Sequence, residues 1–477
     1  MLFNSIQFII FLPVVFIIYW FVLKGNIRNQ NIFLLVASYV FYGWWDWRFL
    51  FLIVISSLCD YLIAQMIFEA KSKRRQRQYL FISLLVNLGM LGFFKYFNFF
   101  VDSLVEAFAM VDVHLNPRTL NIILPVGISF YTFQTLSYTI DVYRGKLEPS
   151  RDITAFFAYV AFFPQLVAGP IERAVNLLPQ FSSERKFDLD EAKAGMRQIL
   201  GGLFKKVIIA DYCAVHVDEI FFNYQSHTGS ELLLGLVFFA FQVYGDFAGY
   251  SDIAIGTARL FGFTLMRNFA YPFFSRDIAE LWRRWHISLS TWFRDYLYFP
   301  LGGSRGNKMF VIRNIVIIFT VSGFWHGADW RFILWGFMNG VYFIPLYLLN
   351  MNRNNLDTVA TGRILPNPLE ILQMAFTFFM FILSLSVFRS LSVTDAWHYN
   401  KIMFSGSLFT VPALPYLRLL PVIILFTIAE WFRRFKQHVL EVDDFPRVAR
   451  WAVYLVVGFI VLLAFDRDPN AFFYFQF

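Results

Sequence analysis

His326 is the side chain in this sequence best suited to taking a proton from a hydroxyl group. It ends an apolar run, with one glycine three residues before it and another directly after it. A neutral imidazole accepts protons near neutral pH. The small flanking residues would let a substrate approach the ring, and Trp325 and Trp330 would wall a pocket around it. The alternative interpretation is an interfacial histidine held by a structural hydrogen bond.

The segment 282–295, WRRWHISLSTWFRD, carries a second histidine among aromatic and basic residues. As one continuous helix it would have an aromatic face next to a basic face. The aromatic face would consist of Trp282, Trp285, Leu289 and Trp292, and the basic face of Arg283, His286, Ser290 and Arg294. This pattern is too polar for a span that faces lipid and too apolar for a free loop, which favours a re-entrant or cavity-lining element. A juxtamembrane amphipathic helix is the alternative.

A glycine-rich basic loop follows at 296–306 and contains Arg305. Its backbone amides and the guanidinium group could bind phosphate groups. The spacing is not that of a P-loop, because no Gly-Lys-Ser/Thr follows at the required position. An ordinary positively charged turn on the cytoplasmic side explains the loop about as well.

Two carboxylates, Asp246 and Asp252, lie six residues apart near the middle of a long apolar run. Charged groups at membrane depth are costly and therefore usually functional. The flanking glycines suggest a locally irregular or tightly packed helix, in which Tyr250, Ser251 and Asp252 would line a polar cavity. Alternatively, the carboxylates pair with arginines elsewhere and lock the helix bundle.

Apolar segments must position all of these side chains. Of the 477 residues 58% are hydrophobic and only 16% are charged, against about a quarter charged in soluble domains, so lipid must solvate much of the surface. Apolar runs of about 20 residues recur from end to end, and the predicted spans include 119–141, 152–170 and 203–222. The sequence therefore predicts an all-α integral membrane protein, with one polytopic domain over 1–477, about eleven transmembrane helices and one or two re-entrant segments.

Basic residues between the spans predict the orientation. Lys24, Arg28 and the basic run at 71–77 would be cytoplasmic if the N-terminus lies outside, which places loops 44–48 and 101–117 outside as well. This rule also accounts for the net charge of +8, so no nucleic-acid partner is expected. The two cysteines, Cys59 and Cys213, provide neither a disulfide framework nor a metal cluster, and no metal site is predicted.

Seven motifs, in order along the chain, resemble the bacterial membrane-bound O-acyltransferase family: LLVASYVFYGWW, GFFKYFNFF, LPVGISFYTFQTLSYTIDVYRG, FFPQLVAGPIER, FQVYGDFAGYSDIAIG, WRRWHISLSTWFRDYLYFPLGGSR and SGFWHGADW. The resemblance covers about residues 1–345, with a motif core at about 120–345, and is nearest to the branch of the alginate O-acetyltransferase membrane subunit. It implies a funnel-shaped central tunnel with a waist near mid-membrane. His326 would be the catalytic histidine at the waist, and His286 a second catalytic or tunnel-lining histidine on the donor side.

The resemblance also implies the reaction. An acyl group, most simply acetyl from acetyl-CoA as a substrate, would pass from a cytoplasmic thioester to hydroxyls of an extracytoplasmic glycan, with His326 as general base or transient acyl carrier. No cofactor would remain bound. The donor-binding or tunnel-lining candidates are Arg283, Arg284, Arg294, Asp295, Arg305, Trp285, Trp325, Tyr250, Ser251 and Asp252.

The family resemblance further implies a location and a partner. The protein is expected in the bacterial cytoplasmic membrane, surrounded by lipid, with an extracytoplasmic SGNH-hydrolase-like acetyltransferase that finishes the transfer. A D-alanyl transferase for teichoic acid, using a carrier-protein thioester, is the alternative within the family. From other classes, a transporter with Asp246, Asp252 and His326 as an ion relay, or a non-catalytic scaffold of a polysaccharide-secretion complex, remains open.

Overall fold

The computed structural model describes residues 1–115, 120–465 and 472–473, and every regular element within those ranges is a helix. A helix satisfies its own backbone hydrogen bonds, as a chain in lipid must. The all-helical prediction is therefore confirmed. The predicted outward loop 101–117 and the predicted span 119–141 fall partly on 116–119, which lie outside the described residues.

The first of two compact units comprises Met1–Ala192 and Thr257–Met266. Its helices are α1 Ile6–Ile17, α2 Ile27–Asp46, α3 Leu50–Glu69, α4 Lys73–Leu91, α5 Phe97–Ala109, α6 Ile128–Tyr143, α7 Ile153–Ala161 and α8 Ala174–Ser182.

The second unit comprises Lys193–Gly256 and Arg267–Phe477, and it contains every residue proposed above for chemistry. Its helices, the first of which begins in the other unit, are α9 Leu189–Phe204, α10 Asp211–Phe222, α11 Gly229–Leu260, α12 Ile278–Arg284, α13 Ile287–Phe293, α14 Lys308–His326, α15 Trp330–Leu348, α16 Pro368–Arg389, α17 Val393–Met403, α18 Leu414–Leu417, α19 Leu420–Phe432 and α20 Arg447–Leu463.

Six helical stretches among the described residues are long and apolar enough to cross a membrane: Ile27–Glu69, Lys73–Ala109, Gly229–Leu260, Lys308–His326, Pro368–Arg389 and Leu414–Phe432. The protein is therefore a multi-pass membrane protein. The count of about eleven spans stays a prediction.

Two predicted spans are not single α-helices. In the span expected at 152–170, α7 ends at Ala161, and the chain up to Arg173 is buried without helical structure. Pro164 and Pro170 lie in this stretch, and a proline removes a backbone donor and disfavours helix at the residue before it. In the span expected at 203–222, the π-helical turn Lys205–Ala210 separates α9 from α10.

The helices that carry the candidate site begin at side-chain caps. Asn307 accepts a hydrogen bond from the amide of Phe310 at the start of α14, and Asp329 accepts one from the amide of Arg331 at the start of α15. Such caps satisfy backbone amides that the first helical turn leaves without partners. They fix where α14 starts and, one turn beyond His326, where α15 starts.

Candidate active site

The structure brings the two predicted histidines together from different elements. His326 is the last residue of α14, and His286 lies between α12 and α13. Their ring centroids are 6.4 Å apart with an angle of 71° between the planes, and the residues are only 6% and 1% exposed. Two buried imidazoles at this separation can belong to one site.

His286 sits at a break in the helix rather than within it, so the prediction of one continuous helix over 282–295 was wrong. α12 ends at Arg284, α13 begins at Ile287, and His286 adopts φ 43° and ψ 54°, in the left-handed region. The amide of Ile287 donates instead to the carbonyl of Asn268 at 2.9 Å. Such strained residues are rare and concentrate at functional sites, and here the strained residue is one of the two predicted histidines.

Aromatic rings enclose both imidazoles. The ring of His286 lies 4.6 Å from that of Phe247, and the ring of His326 lies 5.1 Å from those of Trp325 and Trp335. Trp325 thus lies against the ring of His326, whereas Trp330, also expected beside it, is 55% exposed. Excluding water in this way strengthens electrostatic interactions inside the site.

Burial changes the acid–base behaviour of His286, which lies outside the six apolar spans. Desolvation, and then the nearby His326, lower the pKa of His286 well below 6.5. This imidazole is therefore neutral at neutral pH. His326 has a different setting, because it is the last residue of the apolar span Lys308–His326.

The glycines around His326 have a packing role, which corrects the expectation that they open a path for substrate. A Cβ on Gly323 would lie 2.1 Å from the carbonyl oxygen of Phe332, and a Cβ on Gly327 would lie 2.1 Å from the Phe332 ring. Gly323 also faces Gly336 across the α14–α15 contact. Small residues allow membrane helices to approach this closely, and the approach fixes the position of His326.

Asn268 is a site residue that the sequence interpretation missed. Its side chain is fully buried; Oδ1 lies 3.2 Å from Nδ1 of His286 and 3.0 Å from Oγ of Ser288, and Nδ2 donates to Oγ of Ser251 at 3.1 Å. Ser251, a predicted lining residue, is thereby connected to His286. The sequence feature that could have pointed to Asn268 is a single amide side chain, in the segment RNFAY, between apolar stretches.

The predicted carboxylates form ion pairs with two lysines that the sequence analysis did not name. Nζ of Lys206 lies 2.7 Å from Asp246, and Nζ of Lys205 lies 3.0 Å from Asp252 and 3.5 Å from Glu430. Both lysines belong to the π-helical turn Lys205–Ala210. α11 is regular here, and its glycines pack tightly.

The tight packing of α11 is visible at its glycines. A Cβ on Gly249 would lie 2.7 Å from the carbonyl oxygen of Gly202 in α9. Of the predicted lining residues nearby, Tyr250 packs its ring edge-on against Phe472 at 4.6 Å. Between the ion pairs and Asn268 lies a narrow cavity lined by Lys205, Tyr244, Ala248, Ser251, Asp252, Ile255, Arg267, Asn268, Phe269, Tyr271 and Gln437.

The predicted arginines separate into two kinds. Arg283 donates to the carbonyls of Asn352 and Asn355 at 2.9 and 2.7 Å, and Arg284 donates to the carbonyl of Asp357 at 2.9 Å. These two guanidinium groups therefore hold the loop that follows α15.

The other two arginines are exposed. Arg294 pairs with Asp295 at 2.8 Å, and Arg305 lies on the surface loop before α14. Trp285, the remaining lining candidate, is buried with its ring 5.1 Å from those of Phe269 and Phe381.

Comparison with known proteins identifies the family. Residues 149–394 match the profile of the membrane-bound O-acyltransferase family, MBOAT. The chain is 41% identical over 408 residues to a probable alginate O-acetylase of Pseudomonas aeruginosa, covering 85% of this chain and 75% of that protein. It is 36% identical to the peptidoglycan O-acetyltransferase of Helicobacter pylori, covering 72% and 69% of the two chains.

A more distant relative widens the range of chemistry. The teichoic acid D-alanyltransferase of Streptococcus thermophilus is 29% identical over 64% of this chain and 78% of its own length. Taken with the buried histidine pair, these matches show that the chain belongs to the membrane-bound O-acyltransferase family and is a membrane-bound O-acyltransferase.

Proposed function

We propose that this protein transfers an acetyl group from a cytoplasmic thioester, acetyl-CoA, toward hydroxyls of an extracytoplasmic glycan. The observation that carries the proposal is the buried pair His286–His326, with ring centroids 6.4 Å apart inside an aromatic enclosure. The relatives named for alginate and peptidoglycan O-acetylation support the choice of acetyl and of a glycan.

The chemistry assigned to the pair is a balanced acyl transfer. His326 accepts the proton of the acceptor hydroxyl while its oxygen attacks the thioester carbonyl, the C–O bond forms, the C–S bond breaks, and the proton passes to the thiolate. The α14 C-terminus stabilises the transient imidazolium. Alternatively, a ring nitrogen of His326 attacks the thioester carbonyl first, the C–S bond breaks, and the ring proton passes to the departing thiolate. His326 then carries the acyl group as an acyl-imidazole until the acceptor hydroxyl takes it and returns its proton to the ring.

The donor side of the site is assigned to the exposed arginines. Arg294, oriented by Asp295, and Arg305 are available on the surface, and guanidinium groups bind phosphates in two-pronged geometry. Arg283 and Arg284 then act indirectly, by holding the loop 352–357.

The proposal includes an orientation of the protein in the membrane. We place the protein in the cytoplasmic membrane with the N-terminus outside, because Lys24, Arg28 and the basic run at 71–77 would then be cytoplasmic. His326 would lie at the waist of a central tunnel within a single polytopic domain of about eleven spans. An SGNH-type extracytoplasmic partner would complete the delivery to the polymer.

The proposal is tested with purified protein in lipid vesicles, donor supplied on one side and a glycan or hydroxyl acceptor on the other. We expect His326→Ala to lower acyl transfer at least about 10²-fold, the usual contribution of a general base, and His286→Ala to lower it as well. His398→Ala is the matched control, since His398 is exposed on α17. Full activity of folded His326→Ala protein would refute the role of His326.

The same assay separates the donors and the mechanisms. Activity with a D-alanyl carrier-protein thioester but not with acetyl-CoA would replace the acetyl proposal with the D-alanyl alternative suggested by the Streptococcus thermophilus relative. Mass spectrometry of acid-quenched protein incubated with donor alone would detect an acylated His326 if the residue is a nucleophile.

A further inference from the structure

A short chain of buried hydrogen bonds leads from α11 to His286 through Asn268. Asn268 and Ser288 are fully buried, Ser251 is 2% exposed and His286 is 1% exposed. Nδ2 of Asn268 is 3.1 Å from Oγ of Ser251, and Oδ1 of Asn268 is 3.2 Å from Nδ1 of His286. Hydrogen bonds sealed from water in this way are strong and specific in direction.

The backbone determines which way the Asn268 amide points. The amide N–H of Ser288 lies 3.4 Å from the Asn268 side chain, and a backbone N–H can only donate, so the atom it meets is the carbonyl oxygen Oδ1. The hydroxyl of Ser288 donates to the same oxygen at 3.0 Å. This leaves Nδ2 to donate to Ser251.

This polarity decides the protonation of the ring nitrogen nearest to Asn268. An amide carbonyl oxygen only accepts, so Nδ1 of His286, at 3.2 Å from it, must carry a hydrogen. In a neutral imidazole only one nitrogen is protonated, and the other then holds a lone pair. Burial among aromatic rings favours the neutral form.

We propose that Asn268 is a positioning residue that holds His286 in the tautomer protonated at Nδ1, so that Nε2 offers a lone pair to the reacting groups. The inference rests on the proposed acyl-transfer role of His286 and deepens it. A ring in this tautomer accepts a hydrogen from a hydroxyl, a thiol or a donor amide. It cannot donate to the oxygen of a tetrahedral intermediate, which other groups must stabilise.

Asn268 also stabilises the strained backbone that carries the ring. Its own carbonyl accepts from the amide of Ile287 at 2.9 Å, directly after the left-handed residue His286. One residue therefore fixes both the backbone at the helix break and the ring tautomer, as partners of functional histidines commonly do.

The kinetic test compares two substitutions of Asn268. Asn268→Ala removes the acceptor for Nδ1–H, and we expect kcat per folded protein to fall about 10²-fold while KM for the donor changes little, because general acid–base contributions are of this size. Asn268→Asp keeps an acceptor of the same shape and adds negative charge. We expect it to recover most of the lost activity and to move the acid limb of the pH–rate profile to higher pH, since a carboxylate favours the imidazolium.

A purely structural role gives a different result. In that case Asn268→Asp would be as defective as Asn268→Ala, or both would show normal kcat with an unchanged pH profile, and either result would overturn the proposal. Asn31→Ala is the matched control: Asn31 is also a buried asparagine, and it donates to a backbone carbonyl, that of Phe181, in the first unit. We expect it to lower stability with kcat per folded protein unchanged.

A spectroscopic measurement tests the tautomer without using activity. In ¹⁵N-histidine-labelled protein in lipid, the His286 signals are those that disappear in His286→Gln. We expect Nδ1 to be protonated in the wild type and the tautomer mixture to shift in Asn268→Ala. A ring protonated at Nε2 in the wild type would overturn the proposal. Full activity of His286→Gln would instead remove the proposed function of His286, and the tautomer assignment would still be decided by the spectrum.

Discussion

Replacing Gly323 by alanine should damage the reaction through the position of His326. The added Cβ would lie 2.1 Å from the carbonyl oxygen of Phe332 and 2.9 Å from Cα of Gly336. Ordinary contact begins near 3.4 Å, so the shortfall at the oxygen is about 1.3 Å. Since the obstacle is backbone rather than a flexible side chain, α14 and α15 must separate by roughly that distance.

The displacement should affect the chemistry as well as the stability. His326 is one turn beyond Gly323 on the same helix, and a misplacement of about 1 Å can cost about 10²-fold in rate. We therefore expect Gly323→Ala to lose about 10²-fold in kcat, measured as acyl transfer per folded protein in vesicles.

The control for this prediction is another helical glycine. Gly458 lies in α20, and a Cβ added there would meet no atom of the described residues within 4 Å, so Gly458→Ala should be active and slightly more stable. If Gly323→Ala kept full kcat with a normal melting temperature, the argument that the α14–α15 contact positions His326 would be refuted.

Three further outcomes are expected. Lys206→Met removes the cation that lies 2.7 Å from Asp246 and 2.8 Å from Asp211, so it should lower stability by about 3–5 kcal/mol, and adding Asp246→Asn should restore part of that loss in thermal unfolding. The lowered pKa of His286 keeps its ring neutral in the folded protein as the pH falls. The free energy of unfolding should therefore decrease below about pH 6.5, because the unfolded chain then binds the proton more readily than the folded protein does. A loss of stability on raising the pH through 6.5 would contradict this prediction. Arg434 donates to four backbone carbonyls, three of them in the loop before α16, so Arg434→Lys should cost about 2 kcal/mol and increase proteolysis in that loop; an unchanged digestion pattern would argue against it.

The two histidines show which features of the site could be predicted from the sequence. The ordered motifs identified both, and the structure places their rings 6.4 Å apart. The geometry of the second motif was predicted wrongly, because helical periodicity cannot show that the amide of Ile287 bonds to Asn268 and breaks the helix at His286. Asn268 itself gave no motif, and only its contacts reveal a role.

The partners of the buried carboxylates could not be predicted from the sequence either. Two carboxylates in an apolar run predicted either a cavity or ion pairs, and their side chains form ion pairs with Lys205 and Lys206. The lysines stand 40 or more positions away along the chain, inside the predicted span 203–222. Their identity as partners depends on the packing of α9 and the π-helical turn against α11.

Membrane insertion, the helical class and the family followed from the amino-acid sequence alone, because apolar content, span length and ordered motifs are properties of contiguous residues. Tertiary packing decided the rest. The glycine contact between α14 and α15 sets where His326 lies, and Asn268, 18 positions before His286, sets the backbone and hydrogen-bond partner of that ring. Sites built from residues far apart along the chain depend on distances that no local pattern encodes, and here those distances turn two histidines into one candidate active site.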